Sequence, residues 1–170
     1  MNRKVFEKLM RKSTLDYLNV GTAETPQYVI MNGFTKIDYS PSAKVEDSAY
    51  VHDKAATYAV SGYEGSFPFD GDRIMSDEAN KFLQDIGLEQ KVGTDAETDF
   101  VRFDLCDEVE GQDGVYKARR YWVAVEISDF AGNAIEKQTF SGTLHQCGDF
   151  ETGTFDTNTN TFTPTEAAGE

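Results

Sequence analysis

At 170 residues and 19.0 kDa the chain has room for one domain with a substantial core and too little for two. Its 39% hydrophobic and 27% charged residues exclude disordered and collagen-like classes, and its longest apolar run, Tyr121 to Val125, excludes a membrane-spanning helix, which needs about 20 such residues. Thirty acidic against sixteen basic residues give a net charge of −14, which repels phosphate backbones and argues against a conventional nucleic-acid-binding domain.

The chain order begins with a basic leader. Residues 1–12 hold Arg3, Lys4, Lys8, Arg11 and Lys12 against Glu7 alone, a net of +4, so the other 158 residues carry −18 for the chain to total −14. Val5, Phe6, Leu9 and Met10 fall at helical spacing in this leader. No apolar stretch follows the charged start, so no secretory signal is expected. Strand-like pieces come next, around Tyr17–Val20, Gln27–Asn32 and Phe34–Tyr39, and the Asn32-Gly33 step between the last two predicts a hairpin. From Ser40 to Ala56 the residues are of surface type, which predicts a long loop between two strands; loops of that length in compact domains usually carry function.

A helix is predicted over 76–87. Ser76 serves as N-cap with Asp77 and Glu78 in the first turn. Ala79, Phe82, Leu83 and Ile86 form one apolar stripe, and Gly87 supplies a left-handed stop. One stripe means one docking face, so the helix lies on the outside of a sheet. Strands resume with Asp99, Val101, Phe103 and Leu105 alternating with Phe100, Arg102 and Asp104. The longest candidate runs from Tyr116 to Asp129, with Tyr121, Val123, Val125 and Ile127 on one face and Trp122, Ala124, Glu126 and Ser128 on the other. Ala131-Gly132-Asn133 closes it, and Ile135–Leu144 returns antiparallel. Such a strand exceeds the usual five or six residues, which points either to a sheet that one small domain cannot cover or to a bulged strand in an ordinary sandwich.

Chemistry-bearing patterns are sparse. His145, Cys147 and Asp149 alternate along one strand face, but neighbours two apart on a strand stand roughly 6–7 Å apart, twice the rise per residue. A nucleophile–base dyad needs about 2.6–3.2 Å. Asp156, Asn158 and Asn160 begin like a calcium loop, yet Thr161 stands where glycine is needed and Ala167 where glutamate is. Asp70-Gly71-Asp72 reads as an ordinary two-carboxylate turn. Gly62-Tyr63-Glu64-Gly65 lacks the strand-to-helix context of a phosphate loop, and Cys106 and Cys147 lack zinc spacing. Tyr116-Lys117-Ala118-Arg119-Arg120 is the basic cluster outside the leader. No catalytic set, cofactor or metal site is expected; a basic leader, a long exposed loop, over-long hairpins and an acidic skin are features of an interaction protein.

Several ordered phrases resemble the major tail tube proteins of long-tailed, siphovirus-type bacteriophages and prophages. They are Leu18-Asn19-Val20-Gly21-Thr22 with Glu24-Thr25-Pro26, Gly33-Phe34-Thr35, Ser61-Gly62-Tyr63-Glu64 before Phe67-Pro68-Phe69, and Lys91-Val92-Gly93 with Asp95-Ala96-Glu97. Gly142, Gly148-Asp149, Gly153-Thr154-Phe155-Asp156 and Thr161-Phe162-Thr163 complete the series over Leu18–Thr163. The resemblance implies a mainly β fold, a β-sandwich or open barrel with one flanking α-helix and N-terminal and C-terminal arms. The implied division is a basic N-terminal arm over 1–16, a tail tube domain over 17–163 and a flexible C-terminal end over 164–170.

It further implies a non-enzymatic virion protein, assembled in the bacterial host cytoplasm, whose copies join edge to edge into hexameric rings that stack into a tube. A tape measure protein, a tail terminator and transiently passing double-stranded DNA are the implied partners. The 40–56 loop would contact the adjacent ring through Lys44, Glu46, Asp47 and Lys54. Arg3, Lys4, Lys8, Arg11 and Lys12 would dock on acidic neighbours, and carboxylates at Asp104, Glu126, Asp129 and Glu136 would line an acidic lumen. Two alternatives share the sequence features: the inner tube of a contractile injection or secretion system, and a carbohydrate-binding sandwich using Tyr63, Trp122 or Tyr116 as stacking platforms.

Overall fold

The computed structural model describes residues 8–166. After a 3-10 turn at Arg11–Ser13, the elements in order are β1 (Thr14–Asn19), β2 (Tyr28–Ile30), β3 (Phe34–Ile37), β4 (Ala43–Ser48), β5 (Thr57–Tyr63), β6 (Ser66–Asp72), α1 (Glu78–Leu88), β7 (Glu97–Glu108), β8 (Val115–Ala131), β9 (Thr139–Gln146), β10 (Glu151–Asp156) and β11 (Thr161–Pro164). All pairings are antiparallel. The main sheet runs β2-β1-β7-β8-β9-β6-β3, with β10 and β11 attached through β8. β4 and β5 form a separate two-stranded sheet. The protein is mainly β with one flanking helix, as the sequence predicts.

β8 is the spine, reaching roughly 55 Å at the usual rise per residue. One of its edges pairs with β7 as far as Ala124; the other takes β10 along Val115–Arg120 and β9 along Val123–Ala131. Alternation along these strands loads two cores on opposite faces. In the larger, Phe67, Phe69, Phe100, Tyr121, Val123, Phe140 and Leu144 meet Ala79, Leu83 and Ile86 of the helix. In the smaller, Tyr17, Tyr28, Val101 and Phe103 meet Ala118, Phe155 and Phe162. The first half of β7 is buried on both faces because its odd and even residues serve different cores.

Several expectations change in detail. The helix spans Glu78–Leu88, and Asp77, not Ser76, caps it by accepting from the Asn80 N–H at 2.9 Å. Gly87 is no left-handed stop: it lies within the helix, where an added Cβ would stand 2.6 Å from Ile127 Cγ2 on β8. Gln90 takes the positive φ, 50°, beyond the helix end. Gly33, φ 81°, does make a turn, but no hairpin forms there. β2 pairs with β1 and β3 with β6, at opposite ends of the sheet, because Tyr28 belongs to the smaller core and Ile37 to the larger.

The 40–56 segment is not a plain loop; β4 lies inside it and pairs with β5. Asp70-Gly71-Asp72 continues β6 and is not a turn. β1 begins at Thr14, within the expected leader, and Pro164 still pairs with Gly153, within the expected tail.

Candidate assembly interface

Three surfaces stand out once the cores are accounted for. The first is the outer face of β8, β9, β6 and β3. Phe67, Phe69, Phe140 and Leu144 point inward, so Ser66, Pro68, Asp70 and Asp72 on β6 and Thr139, Ser141, Thr143 and His145 on β9 point outward. Cross-strand register sets these in rows: Pro68, Thr143 and Glu126 in one; Lys36, Asp70, Ser141 and Asp129 in the next. Asp129 reaches this face through a bulge between Ile127 and Asp129, which rephases β8 so that Phe130 returns to the core opposite Phe140. A hydroxyl-bearing middle strand thus runs between two carboxylate-bearing ones. The counter-charges are few: Lys137 binds Asp72 at 2.9 Å and Lys36 binds Asp38, while His145 Nε2 hydrogen-bonds Glu126. Hydrogen bonds from His145 and Ser128 hold the Glu126 carboxyl below its ordinary range.

Of the four expected lumen residues, Glu126 and Asp129 share this face. Asp104 lies elsewhere, half-buried on β7 and accepting from the Thr14 hydroxyl at 2.5 Å. Glu136 sits in the β8–β9 turn, where it accepts from Asn133 at 2.7 Å. Asp70 and Asp72 share this face without being among the expected residues, although Phe67 and Phe69 alternating with them carried the signal.

The same four strands end in two edges without a strand partner among the described residues. One is the outer edge of β3; the other is the β7-side edge of β8 from Val125 to Ala131. Such edges are templates for pairing with another chain.

The third surface is the β4–β5 hairpin. Every residue of β4 is exposed. Ala43, Val45 and Asp47 stand opposite Tyr63, Val60 and Tyr58, giving one apolar face with Val45 57% and Tyr58 69% exposed. Lys44 and Glu46 occupy the other face, Lys44 pairing with Glu64 at the root. Asp47, adjoining Tyr58, and Lys54, in the turn, are exposed too. The turn carries Tyr50 and Val51, 95% exposed in the case of Val51. Exposed apolar surface of this kind on a free element marks an interaction site.

Arg3 and Lys4 lie outside the described residues. Lys8 and Lys12 are exposed, whereas Arg11 is engaged within its own chain. Its guanidinium pairs with Asp16, which also accepts from Arg102 Nε at 2.6 Å, and both arginines donate to the Ile37 carbonyl. Deeper in the sheet, the Asp99 carboxylate accepts from Tyr28 and Asn19, and burial with that bond pushes the Tyr28 phenol well above its ordinary value.

Of the rings that the carbohydrate-binding alternative would use, Tyr63 is on the hairpin, Tyr116 stacks on Phe103 at 5.1 Å, and Trp122 donates to Glu97 at 3.0 Å, so they form no common platform. Among the described residues no three His, Cys, Asp or Glu side chains converge as metal ligands, no helix is long and apolar enough to cross a membrane, and no buried side-chain polar atom lacks a partner.

The sequence matches no protein-family model and no curated protein. The fold does match solved structures. The chain is similar to a subunit in the virion of a native gene transfer agent particle, with TM-score 0.60, 13% identity, 85% of this chain and 98% of that one covered. It is similar to a subunit of the tail of an empty gene transfer agent particle with C6 symmetry, at TM-score 0.59 and 13% identity over 84% and 97% of the two chains. The SPP1 tail tube gives TM-score 0.65 and 13% identity, covering 83% of this chain and 77% of that one. The fold is therefore that of phage-type tail and tail tube proteins, the family that the ordered phrases resemble.

Proposed function

We propose that this chain is a structural, non-enzymatic virion protein whose copies form the tube of a siphovirus-type phage tail. The observation that supports this most directly is one four-stranded sheet with a polar, carboxylate-bearing outer face and an unpartnered edge on each side. The outer β3 edge of one copy pairs with the Val125–Ala131 edge of the next, a head-to-tail contact that closes into a ring when the rotation permits. Hexameric closure is the reading favoured by the C6 symmetry of a tail with this fold.

In such a ring Asp70, Asp72, Glu126 and Asp129 of every copy face the lumen. Carboxylates there repel phosphates and keep double-stranded DNA from adhering as it leaves during ejection. The β4–β5 hairpin, with Lys44, Glu46, Asp47 and Lys54, joins one ring to the next. Lys8 and Lys12, with Arg3 and Lys4, supply cations to acidic neighbours; Arg11 anchors the leader to its own domain. Assembly in the bacterial host cytoplasm around a tape measure protein, ended by a tail terminator, follows from the same reading.

Negative-stain microscopy of the purified protein across concentration and ionic strength tests it. Rings or tubes are expected. A monodisperse monomer at every condition, including with tail partners present, would overturn it.

A further inference from the structure

The hairpin needs a surface to sit on, and the chain carries one suited to it. β7, β8 and β10 extend past the strands that cover the larger core, leaving one end of their inner face open. Leu9, Tyr39, Asp107, Val109 and Thr165 wall this end into a groove of about 770 Å³. Its floor is cationic. Arg102 and Arg119 stand directly opposite each other on β7 and β8, and Lys117 follows on the same face of β8. Like charges directly opposed in a sheet repel.

Asp16 neutralises Arg102, Thr14 engages Asp104, and Asp107 stands at the far wall. Lys117 and Arg119 have no ion pair among the described residues; the Arg119 guanidinium lies 5.7 Å over the Phe150 ring.

We propose that this groove receives the outer part of the β4–β5 hairpin from a second copy of the chain, inserted with the edge of β4 towards the floor so that Glu46 and Asp47, on its two faces, flank Lys117 and Arg119 and the turn residues Tyr50 and Val51 cover the apolar walls. The assignment rests on the reading of the chain as a self-assembling tube subunit and names the receiving surface. Charge selects the occupant: the acids of the hairpin are attracted where the cations of the basic leader are repelled. Glu46 and Asp47 make no ion pair within the described residues.

Reach permits the contact. The extended strand from Ala43 to Ser48 spans roughly 20 Å, and the turn carries Tyr50 and Val51 beyond it, a reach comparable to the radius of a small domain or more. Tyr39, one wall of the groove, stands four residues before the first residue of the hairpin. A hairpin seated there lies at the root of the next copy's hairpin, so the contact repeats without limit.

Charge exchange tests this. Glu46→Lys with Asp47→Lys, or Lys117→Glu with Arg119→Glu, should each cut polymer yield about tenfold or more, measured by sedimentation and microscopy, while circular dichroism shows a folded subunit. All four together should restore it. In a Cys106→Ser, Cys147→Ser background, Val51→Cys with Thr154→Cys should give an oxidised ladder of multimers from assembled tubes. Native-like polymer from either charge pair, no recovery in the fourfold variant, or tubes without a ladder would overturn the groove assignment alone. A native chain that never polymerises would instead remove the subunit reading, and this one with it.

Discussion

Asp16 is the one carboxylate among the described residues that pairs with two arginines. It is buried, it binds Arg11 and Arg102, and through them it fixes the Ile37 carbonyl, so leader, β1, β7 and β3 meet at one anion. Asp16→Ala leaves two guanidinium groups facing each other without a counter-charge. A loss of about 3 kcal/mol in urea unfolding is expected, with a smaller loss for Arg11→Ala because Arg11 is half-exposed. Tyr121 gives a pH signature. Burial first, then the neighbouring Tyr39, pushes its phenol from 10.0 up to about 12. Folding favours the neutral form, so this stabilisation is complete below pH 10.0 and disappears as the pH rises towards about 12. Tm should fall across that window, and Tyr121→Phe should make the fall shallower.

At the scale of elements, the helix and the close approach at Gly87 set two effects against each other. Gly87→Ala gains about 1 kcal/mol of helix propensity, but the new Cβ would press on Ile127 at 2.6 Å. Overpacking of this kind costs about 1–3 kcal/mol, so net destabilisation is expected in thermal or urea unfolding; an unchanged or raised Tm would show that the helix can back away.

The helix was legible because acids at its start and a single apolar stripe are local signals, although the cap falls on Asp77, one residue after Ser76. β8 and its two faces were legible as far as Ile127 for the same reason, since alternation is written residue by residue. The bulge that follows was not, because it is set by the pairing of Phe130 with Phe140 across β9. β4 was hidden because Lys44, Glu46, Asp47 and Ser48 are all exposed, and a strand that buries nothing has no hydrophobic period. The Asn32-Gly33 turn was visible, but a turn does not state which strands its flanks will join.

On the scale of the whole molecule, the candidate surfaces were half legible: Glu126 follows from strand alternation and the resemblance, whereas Asp129 reaches its face only through the bulge, and the free edges and the groove exist only in the assembled topology. Two expectations belong here. Replacing residues 43–63 with a short glycine linker should leave Tm nearly unchanged, since the hairpin packs on no core, while abolishing tubes; a large drop in Tm would show that the hairpin stabilises its own domain. Glu126→Lys with Asp129→Lys should still assemble, but its tubes should retain duplex DNA in a salt-dependent way that native tubes do not. Equal retention would remove both residues from the lumen.

The β4–β5 hairpin projects from the domain, and the groove proposed to receive it lies near its root. Stacking by that contact makes a filament with a direction, because every projection points the same way. Its two termini are chemically unlike, one showing bare projections and the other vacant sockets. Growth and capping at the two termini then call for different partner proteins, and a blunt, symmetrical filament is not an available product.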